Sequence, residues 1–194
     1  MASLSIHLKS SMFIFVLSGI AGWHTVLAQA NINHKYHFDK LYESSEAIWT
    51  YYSTSQAKFT CRKDVMTHKS NKLVTVVTYY YEGNETRTYN STGQLFNVWN
   101  MPPPLNAMFI RDILDSTGSS RKELFYASAD YTCAVVQIQT RSGWYPIFDL
   151  LLKDSKVNQG PDRKCIEKFQ QEAPRSHSPN QKIYTEQCNM TLQA

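Results

Sequence analysis

Between Ile48 and Lys153 the sequence is a succession of short β-like runs separated by turn signals, with no helical stretch between them. That pattern restricts the chain to an antiparallel sandwich or an up-and-down barrel. The clearest run is Lys72 to Tyr81 (KLVTVVTYYY), dense in β-branched and aromatic residues and broken by Glu82-Gly83-Asn84. Seven more read at Ile48 to Tyr52, Ala57 to Met66, Gln94 to Trp99, Asn106 to Leu114, Lys122 to Ala129, Tyr131 to Thr140 and Trp144 to Lys153. Ser116-Thr117-Gly118-Ser119 and Arg141-Ser142-Gly143 read as turns, the polar stretch Glu82 to Gly93 as an exposed hairpin turn, and Met101-Pro102-Pro103-Pro104 as a stiff rim loop. One helix is expected after the strands. Gly160-Pro161-Asp162 precedes RKCIEKFQQEA, where Cys165, Ile166 and Phe169 share a face.

A length of 194 residues, 42% of them apolar and 19% charged, fits one globular domain. The formal charge of +4 is spread over pairs such as Arg62-Lys63, Arg121-Lys122 and Arg163-Lys164, whereas a nucleic-acid binder concentrates its charge, so no nucleic-acid partner is expected. Residues Met1 to Ala30 hold no acid, one early Lys9 and an apolar stretch from Met12 to Ile20 too short to span a bilayer, followed by Ala28 and Ala30 as cleavage positions. The expectation is a signal peptide over 1–30 and a single mature domain over 31–194, secreted, monomeric and with no membrane partner. Twelve tyrosines suit a lined cavity, and equally an ordinary β core.

Four cysteines, Cys61, Cys133, Cys165 and Cys188, fit an oxidising compartment and two disulfides. No CxxC pair occurs, and His34, His37, His68 and His177 lack zinc-ligand spacing, so neither a metal nor a cofactor is expected. Asn84, Asn90 and Asn189 open N-x-S/T sequons. No G-x-S-x-G elbow, H-E-x-x-H helix, P-loop or G-x-G-x-x-G fingerprint is present, so no enzymatic activity is expected. Four cysteines allow three pairings. A helix packed outside a barrel can offer Cys165 to a strand, with Cys133 nearest in sequence, and Cys61 then remains for Cys188.

The series E-x-x-W (Glu46 to Trp49), F-T-C (Phe59 to Cys61), D-Y-T-C-A-V (Asp130 to Val135), D-L-x-x-K-D (Asp149 to Asp154), C-I-E-K-F (Cys165 to Phe169) and Y-T-E-Q-C (Tyr184 to Cys188) resembles the tick salivary histamine-binding lipocalins. The glycine usual before the first-strand Trp of lipocalins is absent, Ile48 standing there. The resemblance implies an eight-stranded antiparallel barrel with a C-terminal helix packed outside and disulfides Cys61 to Cys188 and Cys133 to Cys165. It also implies capture of a host mediator: histamine or serotonin, or in other members leukotrienes and fatty acids. Action through the outer surface on a host protein is the other alternative.

Two acids stand out. Asp149 interrupts Ile147-Phe148-Asp149-Leu150-Leu151-Leu152, and a buried carboxylate there must be paired, protonated or waiting for a cation. Glu46 and Asp149 both match acids that line the amine site of the family, with Trp49 and Tyr42 as cation-π partners, although Trp49 serves equally as a core plug at the barrel floor. A lipid carboxylate would instead need a cation, for which Arg111 is the candidate. The acid that serves a second amine site in some relatives is replaced here by Ala134.

Overall fold

The computed structural model describes residues 36–99, 104–112, 119–141 and 143–192. The expected leader, the Met101 to Pro103 part of the proline loop, Leu114, the Ser116 to Gly118 part of a turn, and Ser142 lie outside the described residues. Strands β1 (Ile48–Ser53), β2 (Phe59–Lys69), β3 (Leu73–Glu82), β4 (Glu85–Phe96), β5 (Ala107–Asp112), β6 (Ser119–Ala127), β7 (Cys133–Thr140) and β8 (Ile147–Lys153) pair antiparallel with their chain neighbours. Strand β1 closes the barrel. Its first residues pair with β2 (Ile48 with Asp64, Trp49 with Lys63) while its other edge pairs along β8. Past Trp49 the β2 edge of β1 is taken over by a two-residue strand, β9 (Gln181–Lys182).

Alternation sorts the side chains into two cores. Ile48, Val74, Val76, Leu95, Met108, Ile110, Leu124, Ala134, Val136 and Leu151 come from seven strands yet pack as one cluster, which only the barrel interior allows. A second cluster joins Trp49, Val135, Phe148, Leu150 and Leu152 to the helices outside. Strands β7 and β8 are therefore covered on both faces and read as nearly continuous apolar runs.

One end of the barrel is plugged. Helix α1 (Phe38–Leu41) drives Phe38, Leu41 and, just after it, Tyr42 into the interior cluster. Three long-range hydrogen bonds hold it: Phe38 N to the Leu105 carbonyl (2.8 Å), Lys69 Nζ to the Asp39 carbonyl (2.8 Å) and His37 N to the Tyr131 hydroxyl (3.1 Å).

A single turn, α2 (Asp154–Val157), leads to α3 (Arg163–Glu172), the helix expected from the sequence. Asp162 caps α3 by accepting from Cys165 N at 2.8 Å, and the buried Cys165 and Phe169 face the barrel. Ala173–Ser176 continues as a 3₁₀ turn, and α4 (Cys188–Thr191) ends the described chain. Cys133 bonds Cys165, tying α3 to β7, and Cys61 bonds Cys188, tying the tail to β2.

The expected hairpin turn over Glu82 to Gly93 is replaced by strand. Only Gly83 and Asn84 turn, with Gly83 at φ +62°, and Glu82 pairs directly with Glu85. Strand β4 then runs from Glu85, because pairing with β3 holds its polar first half in the sheet. Strand β8 begins at Ile147 and not at Trp144, and β7 begins after Tyr131, whose φ of +56° belongs to the turn before it.

Candidate functional site

Among the described residues, strand alternation gathers Arg62, Asp64, Lys122 and Asp149 inside the barrel, with Lys153 on the same face of β8 nearer the plugged end. Lys122 on β6 meets Asp64 on β2 (Nζ to Oδ2, 3.6 Å), and these strands are not neighbours, so the pair spans the bore. Arg62, also on β2, reaches past β3 to donate to the Tyr89 hydroxyl on β4 (3.4 Å) and past β1 to Asp149 on β8 (Nη1 to Oδ2, 3.7 Å). Ser53 donates to Asp149 Oδ1 at 2.6 Å and Thr78 to Asp64 Oδ1 at 2.7 Å.

The two acids are not equivalent. Burial acts to raise the Asp64 carboxyl, but Lys122, Arg62 and the Thr78 hydroxyl outweigh it and hold it below the ordinary range. Burial dominates at Asp149, where Arg62 and Ser53 only partly offset it, and its pKa is raised. Asp149 is thus a buried carboxylate whose negative charge is under-compensated. Burial also works against the Arg62 cation, yet Tyr89, Asp64, Asp149 and Tyr42 together hold its pKa above the usual value. Tyr42 is pushed up in turn by burial and by Asp64, and so stands beside the same network.

The other residues singled out in the sequence are elsewhere. Glu46 accepts from Ser44 (3.3 Å), which accepts from Lys153 (3.0 Å), four residues and about 13 Å along β8 from Asp149 at strand rise, toward the plugged end. Trp49 faces the outer cluster: its Nε1 donates to Asp154 at 2.6 Å, its ring meets Tyr184 edge-on, and Lys63 Nζ sits 5.1 Å above it. It neither lines the bore nor plugs the floor, because Ile48 takes the inward position and alternation sends Trp49 out. Arg111 is exposed on the outer face of β5, 5.9 Å over Phe109, while Met108 and Ile110 point inward.

Arg62, Asp64, Lys122, Ser53, Thr78 and Tyr89 were not anticipated as site residues. A signal existed in Arg62-x-Asp64-x-Met66, three residues on one strand face ending in an apolar one. The register shift between Thr60 and Lys63, around Cys61 at φ +54°, hid which face that was.

At the end opposite α1, the β7–β8 loop and the segment after α3 form a groove of about 490 Å³ lined by Trp144, Tyr145, Pro146, Ser176 and Ser178. Trp144 is 96% exposed there. The Cys133, Asp162 and Cys165 cluster offers no metal site, since both sulfurs form the disulfide. Among the described residues no helix is long and apolar enough to cross a membrane.

A sequence profile of the tick histamine-binding protein matches residues 28–190. The chain belongs to the tick histamine-binding protein family. Two solved structures share the barrel. One is the AM182 serotonin complex (TM-score 0.54, 12% identity, covering 74% of this chain and 85% of that one). The other is japanin from Rhipicephalus appendiculatus bound to cholesterol (TM-score 0.50, 11% identity, 75% and 96%). No curated protein sequence matches significantly. This member of the tick family is a small-ligand-binding lipocalin.

Proposed function

We propose that the protein is secreted as a monomer and sequesters one host biogenic amine, histamine or serotonin, with the ammonium on Asp149. The observation that carries this reading is the under-compensated Asp149 carboxylate inside the barrel. Its nearest cation stands at 3.7 Å, and burial still governs its pKa. An ammonium at hydrogen-bonding distance would supply the missing charge, and Tyr42 and Tyr89 would add ring area around it. A lipid carboxylate is disfavoured beside Asp149, because Arg62 and Lys122 already face acids, Lys153 is held by Ser44 toward the plugged end and Arg111 faces outward. Action on a host protein is the second reading, favoured by the exposed Trp144 and Tyr145 at the rim groove. Titration calorimetry of one sample with histamine, serotonin and leukotriene B4 tests the assignment. Amine heat without leukotriene heat is the expected result; the reverse pattern overturns it.

A further inference from the structure

Arg62 is held by two long polar contacts, at 3.4 Å to Tyr89 and 3.7 Å to Asp149, with the Phe59 ring 5.6 Å from its guanidinium, and its Nε finds no acceptor although that atom is sealed from solvent. An unmet donor on a charged group in such a place is costly, so it marks either strain or a missing partner. The amine reading, on which this inference rests, makes the shortage larger. An ammonium seated on Asp149 repels the guanidinium and takes its carboxylate, which frees Nη1 as well. Asp64 is a poor substitute acceptor, since Thr78 holds one of its oxygens and Lys122 faces the other. The side chain keeps 16% exposure, so it is not wholly sealed by its neighbours.

We propose that Arg62 is a second ligand-binding subsite that donates to a neutral acceptor on the same molecule whose ammonium sits on Asp149. The acceptor is neutral because a carboxylate would place a third negative charge beside Asp149 and Asp64. The ligand class is therefore an amine that also carries a hydroxyl or an unprotonated ring nitrogen. A plain aryl-alkylamine satisfies Asp149 and leaves the guanidinium Nε without an acceptor. A site built to bond an oxygen or nitrogen discriminates strongly against the analogue lacking it.

The test compares phenethylamine with its para-hydroxyl and its β-hydroxyl derivatives by calorimetry on the intact protein. At least one hydroxylated amine should bind tenfold or more tightly than phenethylamine. In Arg62→Lys, which keeps the charge and loses the planar fork, that ratio should fall toward one, with the melting temperature confirming that the variant is folded. Equal affinities for all three amines in the wild-type protein overturn this inference and leave amine capture standing. Absence of binding by all three overturns this inference, absence of histamine and serotonin heat overturns amine capture as well, and a ratio unchanged in folded Arg62→Lys removes Arg62 from the role.

Discussion

Asp149 and Asp64 sit in one bore and titrate in opposite directions, which makes their pH behaviour separable. Asp149 has a raised pKa in the folded chain, so its contribution to stability is fully present below the ordinary value of 3.8 and is lost as pH rises through the raised value. Asp64 behaves inversely: its contribution is present above 3.8 and is lost as pH falls through the lowered value. Amine affinity should follow Asp149, because protonation removes the counter-charge of the ammonium. For serotonin, whose ring carries no group that titrates in this range, affinity is therefore expected to be flat near neutrality and to weaken about tenfold per pH unit once pH drops below the Asp149 pKa, that is, while still above the ordinary carboxylate range. Calorimetry across that range checks it, and a midpoint below 3.8 would contradict the raised pKa. Asp149→Asn should weaken amine binding by about 2 to 5 kcal/mol, the scale for truncating one partner of a buried charge pair. Undiminished affinity in this variant would remove Asp149 from the site.

The elements differ in how far local sequence governs them. Helix α3 begins where Asp162 can cap it, and Asp162→Ala should destabilise the protein by about 1 kcal/mol, read as a lowered denaturant midpoint at constant slope. The β3–β4 hairpin presents Asn84 at its exposed turn, so Asn84→Gln is expected to increase the gel mobility of the secreted protein; unchanged mobility would show the site unused. Asn90 is exposed on β4, whereas Asn189 Nδ2 donates to Asn158 beside the Cys188 disulfide. Strand β3 and helix α3 were legible because their own residues carry the signal, a β-branched run in one and a cap with an apolar stripe in the other. Strand β4 was not, since Glu85 to Tyr89 takes its structure from pairing with β3 and not from its own composition. The site divides along the same line. Asp149 was conspicuous as an acid in an apolar run, while Arg62 looked like half of a surface Arg-Lys pair. Strand parity alone separates it from Lys63, which points outward and donates to the Leu192 carbonyl at 3.0 Å.

For the molecule as a whole, the barrel is closed by a long-range strand pairing, Ile48 on β1 with Lys153 on β8, and its C-terminal tail is fastened by a long-range bond. The Cys61–Cys188 disulfide spans 127 positions, and replacing both cysteines by serine should lower stability by about 2 to 4 kcal/mol in the chain-entropy account, seen as a fall in melting temperature. The interior should hold one amine and not two, and the reason is charge. Ala134 lies on the inner face of β7, at the position where the resemblance implies a second acid, and a methyl group there offers an ammonium nothing. Asp64 is the remaining interior acid among the described strands, but Lys122, Arg62 and Thr78 already hold it in its charged form. A second ammonium would have to displace Lys122 or be desolvated without a counter-charge, and either loss amounts to several kcal/mol that ring contacts do not offset. Calorimetry with histamine should therefore give one equivalent per chain, retained in Asp64→Asn if that variant folds and abolished in Asp149→Asn. Two equivalents in the wild-type protein would mean that Lys122 yields its carboxylate to a ligand.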